Sequence, residues 1–246
     1  MIVDKSRLCF DVQPHIGVKK GDLTEIVLLP GDPERVEIVA SFLEDAVRIG
    51  GKRGFVGYRG KYRGRPVSVM TTHMGGPSAA IAAEELIRAG ARVLIRIGTC
   101  GAIREEIEIG DLIIAASATP DGTSRAYVNE PFCPTASFEV VESLVRAARS
   151  LGERFWVGAV RSWDAFYSES PDEIVKWSRR GILAFEMEDS AIFTVAMLRG
   201  VKAGAIHAVN GNLVRGIQFA SESEQLDAIR RMIKTALEAA TLIGEV

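Results

Sequence analysis

Seven short runs of apolar, largely β-branched residues, separated by longer stretches of helical period, constrain this chain more than any other feature. The runs are Ile26–Leu29, Val67–Thr72, Val93–Ile97, Leu112–Ala116, Phe155–Val160, Ile182–Phe185 and Ala203–Val209. Most are too apolar to leave one face in water, so they predict a sheet covered on both faces. The helical stretches are Pro33–Glu44, Pro77–Ala89, Ser137–Leu151, Pro171–Arg179, Asp189–Arg199 and Glu222–Ile243. Asp32 before Pro33 is an N-cap and first-turn signature, and Gly90 and Gly152 stand where left-handed helix ends are expected. No Pro/Ser-rich linker, repeat or low-complexity tract interrupts the alternation, so one α/β domain over residues 1–246 is the economical reading.

Composition removes several function classes. Lys and Arg number 30 against 32 Asp and Glu, so no global positive field holds a nucleic acid. No run approaches the ~18 apolar residues of a membrane span, which predicts no membrane partner. The first residues, Met-Ile-Val-Asp-Lys-Ser-Arg, lack the apolar core of a secretion signal. Cys9, Cys100 and Cys133 are an odd number without metal-ligand spacing, as suits free thiols in a reducing compartment. A cytoplasmic protein is expected.

Three stretches carry candidate chemistry. In Leu28–Arg35 an apolar strand runs through Gly31 into a helix start, an arrangement that favours anions and puts Arg35 beside them; a plain capping turn is the alternative. In Arg96–Ala102 a guanidinium sits inside a central strand, where it needs either an internal carboxylate or an anionic ligand. After the run Ile182–Ala184, Glu186 and Glu188 stand at i, i+2. One can grip hydroxyls while the other anchors the scaffold, or both can be solvated helix-start acids. Lesser signals are the Gly75-Gly76 turn and the pair Phe166-Tyr167, which suits either core packing or stacking on a flat ring.

Six motifs in order, Pro-Gly-Asp-Pro-x-Arg (30–35), Arg-Gly-Phe-x-Gly-Tyr (53–58), Gly-Gly-Pro-Ser (75–78), Arg-Ile-Gly-Thr-Cys-Gly-Ala (96–102), Asp-x-Phe-Tyr (164–167) and Phe-Glu-Met-Glu (185–188), resemble the nucleoside phosphorylase-I family. That family holds purine nucleoside, methylthioadenosine and uridine phosphorylases, and the likeness runs from about His15 to the last helix. It implies a three-layer α/β/α sandwich around a mixed, twisted sheet, and reversible phosphorolysis of a nucleoside to free base and α-ribose-1-phosphate. By that resemblance Gly31, Arg35, Arg96 and Thr99 bind phosphate, and Arg53 reaches the same phosphate from a neighbouring subunit. His15, also from a neighbour, contacts ribose together with Met187 and Glu188. Phe166 lies against the base, and Arg96 and Glu188 are the expected catalytic pair. The implied assembly is a homo-oligomer, a trimer of dimers with shared sites, and inorganic phosphate is a co-substrate with no metal or organic cofactor.

The sequence departs from the family at one place. Purine-specific members carry Ser-Asp after the last apolar strand, the Asp serving purine N7, whereas this chain has Asn210-Gly211 there. Uridine phosphorylases also lack that acid but read uracil through a Gln-x-Arg insertion, and the short Ser168–Pro171 stretch has none. Asn210, or Asn212, is then the expected donor to the base. Uridine is the expected nucleoside, with purine nucleosides and methylthioadenosine as the alternative. A hydrolase of the same fold gains nothing from three arginines, and a dinucleotide-binding dehydrogenase wants a Gly-x-Gly-x-x-Gly that Gly31-Asp32-Pro33 does not supply. A non-catalytic nucleoside-binding protein is the remaining rival.

Overall fold

The computed structural model describes residues 10–244, which leaves Cys9 outside the described residues. Along them run β1 (Ile26–Pro30), α1 (Pro33–Ala40), β2 (Glu44–Gly50), β3 (Val56–Tyr62), β4 (Arg65–Met70), α2 (Gly76–Ala89), β5 (Val93–Ala102), β6 (Leu112–Thr119), α3 (Gly122–Tyr127) and α4 (Phe138–Ser150). There follow β7 (Phe155–Ser162), α5 (Pro171–Ser178), β8 (Ala184–Glu186), α6 (Asp189–Arg199), β9 (Lys202–Asn212) and α7 (Glu222–Leu242). The strands form one mixed sheet in the order β2-β3-β4-β1-β5-β8-β7-β6-β9. Because β9 also pairs with β5, five of these strands close into a ring and β1 to β4 extend from it.

Each face of the sheet has its own apolar core. One collects Ala79, Leu86, Ile192, Phe193 and Val195 from α2 and α6 against Val27, Leu94 and Ala205. The other collects Val36, Val140, Leu144, Met232 and Leu237 from α1, α4 and α7 against Leu28, Ile95 and Ile206. This is the three-layer sandwich expected, and it explains the doubly apolar strands: alternate residues of one strand enter different cores.

Three departures from the sequence reading have physical causes. The first helix stops at Ala40, four residues short of the expected Glu44, because Ser41 to Leu43 turn the chain into β2. Phe42 and Leu43 still pack on the core of α1, so the apolar spacing outlasts the helix that it predicts. The antiparallel pair β2–β3 was not expected at all. β2 is solvent-exposed almost throughout, so it carries no apolar run to read. The expected strand Ile182–Phe185 shortens and shifts to Ala184–Glu186, which lets Glu186 end a strand beside Ser162 of β7.

One register detail positions a functional residue. β5 and β9 run parallel in step from Val93↔Lys202 to Cys100↔Val209, then resume at Gly101↔Gly211. Asn210 is therefore an unpaired bulge residue, the kind of irregularity that re-aims a side chain at the edge of a site.

Candidate active site

The carboxyl ends of β1, β5, β8 and β9 border one cavity of about 710 Å³. Gly31, Arg35, Arg96, Thr99, Phe166, Met187, Glu188 and Asn210, all expected from sequence, line it. Arg96 and Glu188, each only 4% exposed, form an ion pair of 2.6 Å from Nη2 to Oε2. The remaining contacts hold this pair rigidly. Arg96 Nη1 donates to the Leu29 carbonyl at 3.1 Å, and Glu188 Oε1 accepts from the Gly75 backbone N–H at 2.8 Å. The internal carboxylate partner and the candidate ligand site of Arg96 are thus one arrangement.

Two guanidiniums gather at this end of the cavity. Arg35 Nη2 donates to the Thr99 hydroxyl at 3.2 Å, while Asp32 approaches its Nε only to 4.0 Å. Burial, with Arg96 nearby as the second cause, lowers the Arg35 pKa to about 10. The buried Nε atoms of Arg35 and Arg96 have no hydrogen-bond partner among the described residues. Two guanidiniums with idle donors and one carboxylate between them suit a multivalent anion. Gly31 makes the approach possible, because a Cβ there would lie 3.1 Å from both Arg96 Nη1 and the His73 carbonyl.

Of the paired acids, Glu186 takes the anchoring task. Glu186 accepts from the Ser162 hydroxyl at 2.5 Å and from the backbone N–H groups of Glu188 and Asp189 at 2.7 and 2.8 Å. It ties the start of α6 to β7 and so fixes the backbone that carries Glu188. Burial first, then the charges of Asp189 and Glu188, push the Glu186 carboxyl well above the ordinary range. Beneath it the fully buried His207 and Asp189 pair at 2.7 Å.

A second group of cavity residues is aromatic and amide-bearing. Phe166 and Phe219 are nearly parallel, at 18° with centroids 6.5 Å apart, and Tyr167 meets Phe166 edge-on. Tyr167 is 98% exposed, so the pair forms a rim and not core packing. His73, Glu169, Gln218 and Phe219 also line the cavity and were not read from sequence. Gln218 and Phe219 lie in an irregular stretch after β9 with no motif to mark them.

Asn212 does not serve the base, contrary to expectation. Its amide donates to the Arg104 and Ile107 carbonyls at 2.9 and 2.8 Å, and its Oδ1 accepts from the Arg215 backbone N–H. Its side chain is spent on holding the turn after β9. At Gly211 a Cβ would lie 2.4 Å from the Gln218 carbonyl oxygen and 2.9 Å from that of Ile217, so this backbone admits no side chain, acidic or otherwise. The missing acid is excluded by packing.

His15 and Arg53 do not join the cavity of their own chain. The buried Glu85 carboxylate accepts from the backbone N–H groups of His15 and Ile16 and meets His15 Nδ1 at 2.5 Å. Arg53 is exposed in the 3-10 turn Lys52–Gly54, with a φ of 52°. The two loops touch, since a Cβ at Gly17 would lie 3.0 Å from the Lys52 side chain. Phe55 packs edge-on against the cavity residue His73, with centroids 4.5 Å apart.

Comparison with known proteins agrees with this geometry. Residues 25–243 match the Phosphorylase superfamily. The guanosine phosphorylase of Halorubrum lacusprofundi is 37% identical over 94% of this chain and 99% of its own length. A DeoD-type purine nucleoside phosphorylase of Alkaliphilus metalliredigens is 41% identical over 92% of this chain and 98% of its own length. The uridine phosphorylase structure from Vibrio fischeri ES114, 32% identical, superposes with a TM-score of 0.88 over 94% of this chain and 98% of that one. With residues of four of the six ordered motifs lining one cavity that holds Arg35 and Arg96, the chain belongs to the phosphorylase superfamily.

Proposed function

We propose that this enzyme, a pentosyltransferase, catalyses reversible phosphorolysis of ribonucleosides, giving free base and α-ribose-1-phosphate. The observation that carries the reading is the paired guanidinium site, Arg35 and Arg96, with unpartnered buried donors beside Glu188. In the proposed reaction the bond from C1′ to the base nitrogen lengthens and its electron pair leaves with the base. Glu188 accepts hydrogen bonds from the ribose 2′- and 3′-hydroxyls, with Met187 against the sugar. A phosphate oxygen, held by Gly31, Arg35, Arg96 and Thr99, then bonds C1′ from the opposite face. Positioning and electrostatics do the work, and no metal or organic cofactor enters the scheme.

Two readings of the base each have support. Uridine is favoured by Gly211, which admits no acid, because uracil departs as an anion that needs only donors such as the Asn210 amide. A purine nucleoside is favoured by the short Ser168–Pro171 stretch and by the relatives named for purines. The test is kcat/KM for uridine, inosine, guanosine, adenosine and methylthioadenosine, with and without phosphate. Base release that is equally fast without phosphate would overturn phosphorolysis. A purine nucleoside more than tenfold better than uridine would overturn the uridine reading.

We also propose that His15 and Arg53 complete the cavity of a neighbouring copy in a trimer of dimers. Glu85 occupies His15 Nδ1, which leaves Nε2 as the ring nitrogen open to a ligand, and Arg53 is exposed in the touching turn. Two-fold symmetry makes such an exchange reciprocal. Arg53→Ala and Glu188→Ala proteins are each expected to be inactive alone. After subunit exchange about a quarter of wild-type activity should return, since about half of randomly mixed dimers pair unlike copies and each of these holds one intact site. No rescue in demonstrably mixed oligomers would remove the shared-site proposal.

A further inference from the structure

We infer that Glu169 selects the base: its carboxylate accepts the ring N–H of a lactam, so the site takes uracil and 6-oxopurine nucleosides and rejects those of adenine and cytosine. The inference rests on the phosphorylase reading above and names the substrate class of that same site.

Glu169 follows the 3-10 turn Phe166–Ser168 and precedes α5, which places it just after the aromatic rim. It lines the cavity, and burial alone pushes its carboxyl above the ordinary range, with no charge or hydrogen bond offsetting the cost. Among the described residues no group donates to it or pairs with it. The neighbouring acids differ. Glu173 holds Lys176 Nζ and Trp177 Nε1, Glu186 holds Ser162 and two backbone N–H groups, and Glu188 holds Arg96. The Glu169 carboxylate oxygens still reach the open cavity, so a ligand N–H there can replace water with a charge-assisted hydrogen bond.

The groups sharing that wall define which ligand fits. Asn210 and Gln218 line the same cavity, and their side-chain amides make no hydrogen bond to any described residue. One acceptor and two amides lining the same cavity supply the partners that a ring N–H flanked by carbonyl oxygen requires. Uracil presents this at N3–H between O2 and O4, and hypoxanthine and guanine present it at N1–H beside O6. Adenine N1 and cytosine N3 instead carry a lone pair, which would face the carboxylate with no proton between them. Sites built around a polar group reject the analogue that leaves it unpaired far more strongly than apolar pockets reject a misfit.

The test is kcat/KM for uridine, inosine, guanosine, adenosine and cytidine at saturating phosphate, in wild type, Glu169→Gln and Glu169→Asp. Wild type is expected to prefer the best lactam nucleoside over adenosine by at least about 100-fold. An amide at 169 can donate to adenine N1, so Glu169→Gln should lower that preference by at least tenfold. Glu169→Asp should keep the preference at reduced rate, and the phosphate KM should stay within about twofold in both. A general loosening of the fold would lower all nucleosides alike and leave the ratio unchanged. A ratio within threefold of wild type in Glu169→Gln, or a wild type that takes adenosine as well as inosine, would overturn the inference while leaving phosphorolysis standing. Failure of wild type on every nucleoside would instead overturn the phosphorylase reading.

Discussion

Replacing Glu188 with alanine is expected to lower kcat/KM by about 10³-fold, the largest effect of any single truncation in the site. The carboxylate has two tasks at once. Its Oε2 neutralises Arg96 at 2.6 Å and its Oε1 is held by the Gly75 N–H at 2.8 Å, so the group is fixed before substrate arrives. Two hydroxyl-to-carboxylate hydrogen bonds lost from the transition state, at about 1.5–3 kcal/mol each, already amount to 10²- to 10⁴-fold. The truncation also strands the Arg96 guanidinium without its partner, at a further cost of about 3–5 kcal/mol in stability. Glu188→Gln keeps the shape and one acceptor but not the charge, and is expected to fall between wild type and alanine. Steady-state kinetics over both substrates, with a melting curve for each variant, checks this. A Glu188→Ala enzyme within tenfold of wild type would mean that another group grips the ribose.

How much of this was legible depended on whether a residue's role was local. Doubly apolar runs such as Val93–Ile97 announce buried strands because burial on two faces removes polar residues from both. Gly31 and Arg35 are readable because the strand, turn and helix that place them are contiguous. The anchoring role of Glu186 was readable because its partners include the backbone N–H groups two and three residues on. The pair β2–β3 was invisible because its exposed residues face no core, and its tight link to β4 through Arg63 and Gly64, at φ 51° and 80°, carried no strong turn dipeptide. Asn210 could be named from the family pattern, but its place on a bulge follows from register between two strands more than a hundred residues apart. The role of Asn212 was misread for the same reason, because its amide partners Arg104 and Ile107 are distant in sequence. Phe219 and Gln218 reach the cavity only because the stretch after β9 folds back over Gly211, a contact made by backbone atoms with no side-chain signature.

Arg96→Ala is expected to cost about 2–4 kcal/mol of transition-state stabilisation, or roughly 30- to 1000-fold, and to place that loss on the phosphate side. The argument begins with what the guanidinium touches. Nη1 is held by the Leu29 carbonyl, Nη2 by Glu188, and Nε has no partner among the described residues, so the head group cannot turn away from the cavity. A bound dianion gains a fixed donor that needs no rearrangement, and it relieves the mutual repulsion between Arg96 and Arg35 that helps lower the Arg35 pKa to about 10. Without Arg96 the phosphate loses one fork and Glu188 loses its counter-ion, so the phosphate KM should rise steeply while the remaining loss appears in kcat. Arg96→Lys should recover only part of the activity, because a point charge cannot bind the carboxylate and the phosphate through a planar fork. Free guanidinium added to Arg96→Ala should restore activity in a saturable way, a response that a merely unfolded variant cannot give. Phosphate should also raise the melting temperature of wild type by about 5–10 °C at one hundred times its Kd, from a linkage term of about 2.7 kcal/mol, and raise that of Arg96→Ala by much less. A wild-type phosphate KM in Arg96→Ala, together with an undiminished phosphate-induced shift, would move the anion site elsewhere in the cavity.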